Sequence, residues 1–332
     1  MYIVRRLLWM IPTFLGVVTI TFFLTKLRPD PVAQQGLNPE AMSDTSMSAQ
    51  YIEQQRQYYG YDKPVLVQYL IMLKNLATFN FSTSRVDHRP VLDKILEALP
   101  YTITLNIVTI FIVYFISVPL GVYSAVRDRS RMDLIVTFFL YVLYSLPEFW
   151  IALFLLRYLA GGDYLDIFPL GGFVSDSFED LSFWAQVGDL VWHLALPVLI
   201  SVYGSFAFLS RFVKSSFMEA LKADYTRTAR AKGLSRRSVL YVHAFRNSLI
   251  PLVTLMAGLL PGLFGGSVII EQIFSIPGMG KLAYDSIYAN DDPVIIAIVF
   301  FSALLTMIGI LLADIAYTIA DPRIRLEGKS QP

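Results

Sequence analysis

Apolar and polar segments alternate along the chain, with apolar stretches near 7–27, 101–126, 134–158, 191–213, 247–270 and 294–318. Each reaches the roughly 20 residues that a helix needs to cross a hydrocarbon core of about 30 Å, so the pattern predicts an all-α membrane protein with six transmembrane helices. The first run follows Arg5 and Arg6 as the apolar part of a secretory signal would. It is long enough to span, however, and no small-residue cleavage site follows it, so it reads as a retained span. On this pattern the chain divides into a first transmembrane helix (1–27), a polar segment with short helices (28–100), a five-helix core (101–320) that includes a loop at 215–246, and a tail (321–332).

Between the first two spans, Tyr51 to Tyr59 and Val65 to Leu76 read as short helices separated by a turn at Gly60-Tyr61-Asp62-Lys63-Pro64, with Pro64 suited to a first helical position. Residues 36–50 read as loop. The longest basic interruption is SSFMEALKADYTRTARAKGLSRRSVLYVHAFRNSLIP, residues 215–251, which is too charged to enter lipid. Phe217, Ala220, Leu221, Tyr225 and Thr228/Ala229 recur at the spacing of one face of an amphipathic helix, with Lys222, Arg227, Arg230 and Lys232 on the rest. Gly233 tolerates the left-handed conformation that ends a helix, and Ser235 suits the cap of a second helix through Val239 and Val242. The segment reads as helix, sharp turn, helix.

Composition supports the membrane reading: 55% of residues are apolar and 16% charged. The near-zero net charge hides a segregation. Arg5 and Arg6, then Arg127, Arg129 and Arg131, then the nine Lys and Arg residues from Arg211 to Arg246, and finally Arg323, Arg325 and Lys329 fall on one side of the spans. The loop 159–190 on the other side has no Lys or Arg and carries Asp163, Asp166, Asp176, Glu179, Asp180 and Asp189. The positive-inside rule then predicts that both termini and the basic loop are cytoplasmic and that 28–100 is external.

Cysteine is absent and the three histidines, His88, His193 and His243, are scattered, which excludes a disulfide framework and argues against a metal site. Gly328-Lys329-Ser330 is a false phosphate-loop lead, because Arg323 stands where the first glycine belongs. No zinc-protease pair or nucleophile constellation is apparent, so the chain reads as non-catalytic, with no cofactor and no nucleic-acid partner expected.

Pro12, Pro119, Gly121, Pro147, Pro197 and Pro251 lie within the spans, and Gly258, Pro261, Gly262, Gly265 and Gly266 cluster in the fifth. Proline removes a backbone hydrogen bond and bends a helix, whereas small residues let helices approach closely. Gly258, Pro261, Gly262, Gly265 and Gly266 are therefore candidates for pathway-lining backbone, with simple packing as the alternative. Glu148, Arg157, Arg211, Glu271 and Asp314 lie in or near spans, most of them close to predicted ends where a side chain can reach the interface. Asp314 is placed to pair with a basic residue of the loop. The scarcity of acids deep in the spans argues against ion-coupled transport.

The loop resembles the conserved cytoplasmic loop of ABC-importer permeases, in the variant of the dipeptide, oligopeptide and nickel permeases. The likeness rests on Asp224-Tyr225, Arg227-Thr228-Ala229-Arg230-Ala231-Lys232-Gly233-Leu234-Ser235, His243-Ala244, Arg246-Asn247 and Leu249-Ile250-Pro251. It extends to Asp62-Lys63-Pro64, Gln68-Tyr69-Leu70, Pro90-Val91, Leu99-Pro100, Phe274-Ser275-Ile276-Pro277-Gly278-Met279-Gly280 and Asp292-Pro293-Val294. The general importer signature begins Glu-Ala-Ala where this chain has Arg227-Thr228-Ala229. The peptide branch has Gly-Asp-Leu-Gly where this chain has Phe79-Asn80-Phe81-Ser82.

The resemblance implies a type I ABC importer permease fold in a bacterial inner membrane. It implies pairing with a second homologous permease, two cytoplasmic P-loop ATPase subunits, and an external binding protein that delivers di- or oligopeptides. Residues Asp224 to Ser235, apart from Thr226, are then the ATPase-coupling site. A nickel-chelate or glutathione importer of the same family, and a stand-alone secondary transporter, are the alternatives.

Overall fold

The computed structural model describes residues 2–28, 53–54, 56–57, 60–161, 164–257 and 259–320, without the side chains of 2–7, 250, 253–254, 256–257, 260–261 and 313–320. The expected loop 36–50, much of the expected helix 51–59, Gly258, the side chains of Pro261 and Asp314, and the tail 321–332 lie outside the described residues. Among the described residues the chain is helical with no named strand, only two isolated bridges, Thr83 with Pro90 and Ala160 with Phe168. It forms two compact units, Met1–Glu97 with Ala283–Met307, and Ala98–Leu282 with Ile308–Pro332.

In chain order the helices are α1 (Tyr2–Lys26), α2 (Val65–Ala77), α3 (Val91–Val126), α4 (Arg131–Ser145), α5 (Glu148–Leu159), α6 (Phe183–Lys222) and α7 (Asp224–Ala231). A short turn, Arg236–Ser238, then leads through a π-helical stretch, Val239–Ala244, into α8 (Phe245–Ala257). α9 (Leu259–Gly265), α10 (Val268–Ile273), α11 (Met279–Tyr288) and α12 (Asp292–Ala320) follow. Among the described residues four helices, α1, α3, α6 and α12, are long and apolar enough to cross a membrane, and α4 with α5 makes a fifth candidate.

Two of the six expected spans are not continuous helices. The run 134–158 is bent by 89° between α4 and α5. Pro147 cannot donate a backbone hydrogen bond, and the Leu146 carbonyl left at the bend accepts from the Tyr203 hydroxyl at 2.9 Å. The run 247–270 is no single helix, because Gly266 takes a positive φ of 66° and Ser267 caps a new helix by accepting from the Ile270 N–H.

In the first unit, aromatic rings fill the space between elements. Phe300 meets Phe14 at 5.1 Å and Phe81 at 5.3 Å, and the Tyr69 hydroxyl shares a 2.7 Å hydrogen bond with Thr19. A polar cluster joins residues far apart in sequence. Asp292 pairs with Arg28 and Arg85 at 3.0 Å each and accepts from the Tyr61 hydroxyl, while Asp291 accepts from Ser84. Phe79 and Ser82 stand where the resembled family has glycines, and both have positive φ, 54° and 62°. The turn thus keeps a glycine-like backbone on non-glycine residues, at a cost of roughly 1–2 kcal/mol per residue.

In the second unit, α6 is the central element. Ile200, Val213 and Phe217 on α6 are fully buried, in a core with Leu105 and Val113 of α3 and Ala152 of α5. Glycine lets α3 approach α6 closely: a Cβ on Gly121 would lie 2.6 Å from the Ser210 carbonyl oxygen. Asp133, at the start of α4, is buried and accepts from Lys214 of α6 at 2.7 Å, from Ser124 and from the Arg129 N–H. That ion pair fastens the α3–α4 turn to α6 about three turns before α7.

Candidate functional site

The basic loop is built by two breaks. The sequence pattern predicts one amphipathic helix from Phe217 to Ala229, but the helix stops at Ala223, whose extended backbone (φ −66°, ψ 152°) separates α6 from α7. Phe217 and Ala220 therefore belong to α6 and its core, whereas Thr226 and Ala229 form the buried face of α7. Thr226 donates its hydroxyl to the Ala220 carbonyl at 2.7 Å, meeting an acceptor that the break leaves without a helical partner. No glycine or proline marks Ala223; the hydroxyl three residues later is the only local signal.

The second break follows the sequence reading. Gly233 has φ 76°, and nothing lies within 4 Å of where its Cβ would be. Ser235 accepts from the Ser238 N–H as the cap of the next turn. The following helix winds as π through Val239–Ala244, a feature the apolar spacing did not predict. π stretches are often associated with functional sites.

Asp224, Tyr225, Arg227, Thr228, Arg230, Ala231, Lys232, Gly233, Leu234 and Ser235 are all exposed, and only Ala229 of the predicted coupling set is buried. Partial desolvation, with Glu219 nearby, pushes the Tyr225 phenol up, so it remains a neutral hydrogen-bonding group at neutral pH. Arg227 and Asp224 approach to 3.6 Å with both side chains largely in solvent, a contact of little energetic weight. Val126, Leu221, Arg230, Leu234, Arg236, Val239 and Leu240 surround a recess of about 370 Å³ beside α7. The loop presents a short basic helix over a partly open hollow with mixed polar and apolar walls.

The predicted pathway residues separate into two kinds. Gly262 and Gly265 are exposed, with nothing within 4 Å of an added Cβ, and Asn106 donates to the carbonyls of Gly262 and Leu263 at 2.9 and 3.2 Å. Gly266 instead packs tightly, since a Cβ there would meet Glu271 Oε1 at 2.7 Å. Glu271 is fully buried. Its carboxylate accepts from the Thr102 hydroxyl at 2.8 Å and the Lys281 N–H at 2.9 Å, with the N–H groups of Gly280 and Ser267 also donating. Gly278 and Gly280 press against it, and Thr102 in turn accepts from the Met279 N–H at 2.7 Å. The sequence reading took Glu271 for a residue near a span end; Pro277-Gly278-Met279-Gly280 was the available sign that the backbone crowds a side chain there.

A profile of the family described as binding-protein-dependent transport system inner membrane component matches residues 117–326. The oligopeptide transport system permease protein AppB of Bacillus subtilis (strain 168) is 39% identical, over 97% of this chain and 98% of that protein. The inner membrane ABC transporter permease protein YejB of Escherichia coli O157:H7 is 35% identical, over 99% of each chain. The dipeptide transport system permease protein DppB of Lactococcus lactis subsp. cremoris (strain MG1363) is 36% identical, over 98% of this chain and 99% of that protein. The matched region includes the loop 215–251 in full.

Proposed function

The chain belongs to the family of binding-protein-dependent transport system inner membrane components, and from that premise we propose that it forms half of the pathway through which an ATP-driven importer carries di- or oligopeptides. A second homologous permease forms the other half, two cytoplasmic P-loop ATPase subunits drive the pair, and an external binding protein delivers the peptide. The chain crosses the membrane six times, with the bent pair α4–α5 and the interrupted run 247–270 each making one crossing, and both termini lie in the cytoplasm.

The coupling site is the exposed face of α7 with Gly233 and the cap at Ser235. One observation carries this role: α7 is a short basic helix set off by a break on each side, so a push on it reaches α6 through Thr226, Ala229 and the core contact of Phe217 with Phe245. Packed elements with two discrete arrangements convert such a push into alternating access. Gly262 and Gly265, exposed on an interrupted helix, line the pathway together with the neighbouring Gly258 and Pro261.

Extraction of the tagged chain from its native membrane in mild detergent tests this reading. A second permease and P-loop ATPases recovered with it, and peptide uptake when the complex is reconstituted with its binding protein, are the expected results. A chain recovered alone and stable would favour a solitary transporter.

A further inference from the structure

Two charged side chains on the α4–α5 and α6 face of the second unit are used by nothing described so far. Glu148 opens α5 directly after the bend, is exposed, and reaches over Gly204 of α6. A Cβ at Gly204 would collide with its carboxylate, so glycine there makes the room the carboxylate occupies. Arg211, also exposed, lies seven residues further along α6 and therefore on the same face, about 10 Å away at 1.5 Å of rise per residue. Its guanidinium is held 4.0 Å from the Tyr141 ring centroid. A ring under its face leaves the guanidinium edge, with its N–H donors, open to a carboxylate.

Among the described residues neither Glu148 nor Arg211 has an opposite charge within ion-pair distance. An ionisable group within a span is costly against lipid and is normally met by a counter-charge or a water-filled path. Here counter-charges of opposite sign are missing on one face of α6, at side chains seated at Gly204 and Arg211, two backbone positions about 10 Å apart along the helix. An ammonium at one point and a carboxylate at the other would remove both costs at once.

Resting on the peptide-import reading, we infer that Glu148 and Arg211 are the two ends of a clamp for short zwitterionic peptides, Glu148 taking the α-ammonium and Arg211 the terminal carboxylate. An extended chain spans about 3.3–3.6 Å per residue, so a tripeptide matches the separation, and the reach of the two side chains admits one residue fewer or more. Arg211 meets the carboxylate through two parallel N–H donors, a geometry that lysine cannot reproduce.

The test uses the complete importer in proteoliposomes with its binding protein, and labelled Ala-Ala-Ala against N-acetyl-Ala-Ala-Ala-amide, which lacks both terminal charges. The binding protein is the same in every comparison, so its own selectivity cancels between wild type and variants. Glu148→Gln and Arg211→Gln should each lower tri-alanine uptake about tenfold, raising KM more than they lower kcat, and the preference for the free over the blocked peptide should fall toward one. Copurification of the second permease is read in parallel. Unchanged tri-alanine uptake in both variants, or equal losses for free and blocked peptide, overturns the clamp and leaves peptide import standing. Loss of the second permease from either variant overturns it in favour of a subunit contact. Failure of the wild type to take up tri-alanine removes the peptide reading and the clamp with it.

Discussion

Two interruptions of the helical frame within Ala98–Leu282 are finished in opposite ways. Around Gly266 the chain is broken inside the protein, and the carboxylate of Glu271 meets a hydroxyl and three backbone N–H groups while Gly266, Gly278 and Gly280 close over it. Around Ala223 to Ser235 it is broken at the surface, Gly233 stands in open space, and Arg230, Lys232, Arg236 and Arg237 have no carboxylate partner among the described residues. Glycine and a broken helix occur in both. What differs is whether the polar groups at the break are met within the chain.

Glu271→Ala should produce the largest effect on stability. It leaves four buried donors without an acceptor, at about 1–3 kcal/mol for each one that water cannot reach, so a loss of at least about 3 kcal/mol is expected. Thermal unfolding in detergent measures it, and a wild-type melting temperature would mean that the inner break is no more committed to the fold than the outer one.

Gly233→Pro should act in the reverse proportion. Proline forces φ to about −65° and removes the N–H that Gly233 donates to the Arg230 carbonyl at 3.0 Å, which reshapes the turn without touching the core. Insertion and most of the stability, within about 1–2 kcal/mol, should survive, while ATP hydrolysis and peptide uptake come apart. Ala229→Glu should uncouple them too, by placing a charge on the buried face of α7 and lifting the helix from its seat. Normal uptake in both variants would remove α7 from the coupling path.

Gly262→Leu and Gly265→Leu should change stability least, by less than about 0.5 kcal/mol, because nothing lies within 4 Å of an added Cβ at either position. The proposed pathway role predicts that uptake is nonetheless lost. A subunit complex that no longer assembles would assign these glycines to packing instead.

Much of this contrast was legible in the chain. The apolar runs fix the long helices, and Gly233 followed by Ser235 marks the outer turn because the residue types needed there are few. The inner site was illegible for a physical reason: Glu271 and Thr102 are 169 positions apart, and a hydroxyl gives no sign in sequence of the carboxylate it serves. Pro147 announced a bend, but the 89° angle reflects packing on α6 and the Tyr203 hydroxyl at Leu146. The stop at Ala223 carried no breaker at all. Phe79 and Ser82 show the converse, a positive-φ backbone on residues that do not announce it, with the Phe79 and Phe81 rings packed on Phe300.

The chain has no cysteine, so a single introduced thiol reports on one place only. Arg227→Cys sets that thiol on the exposed face of α7, and a short thiol-reactive crosslinker applied to the assembled importer is the most direct test of the coupling role. The account predicts a crosslink to a P-loop ATPase subunit, in higher yield than from a thiol placed at exposed Trp184. An assembled complex in which the thiol at 227 gives no ATPase product, or in which it reacts with a reagent confined to the outside of the membrane, would contradict it.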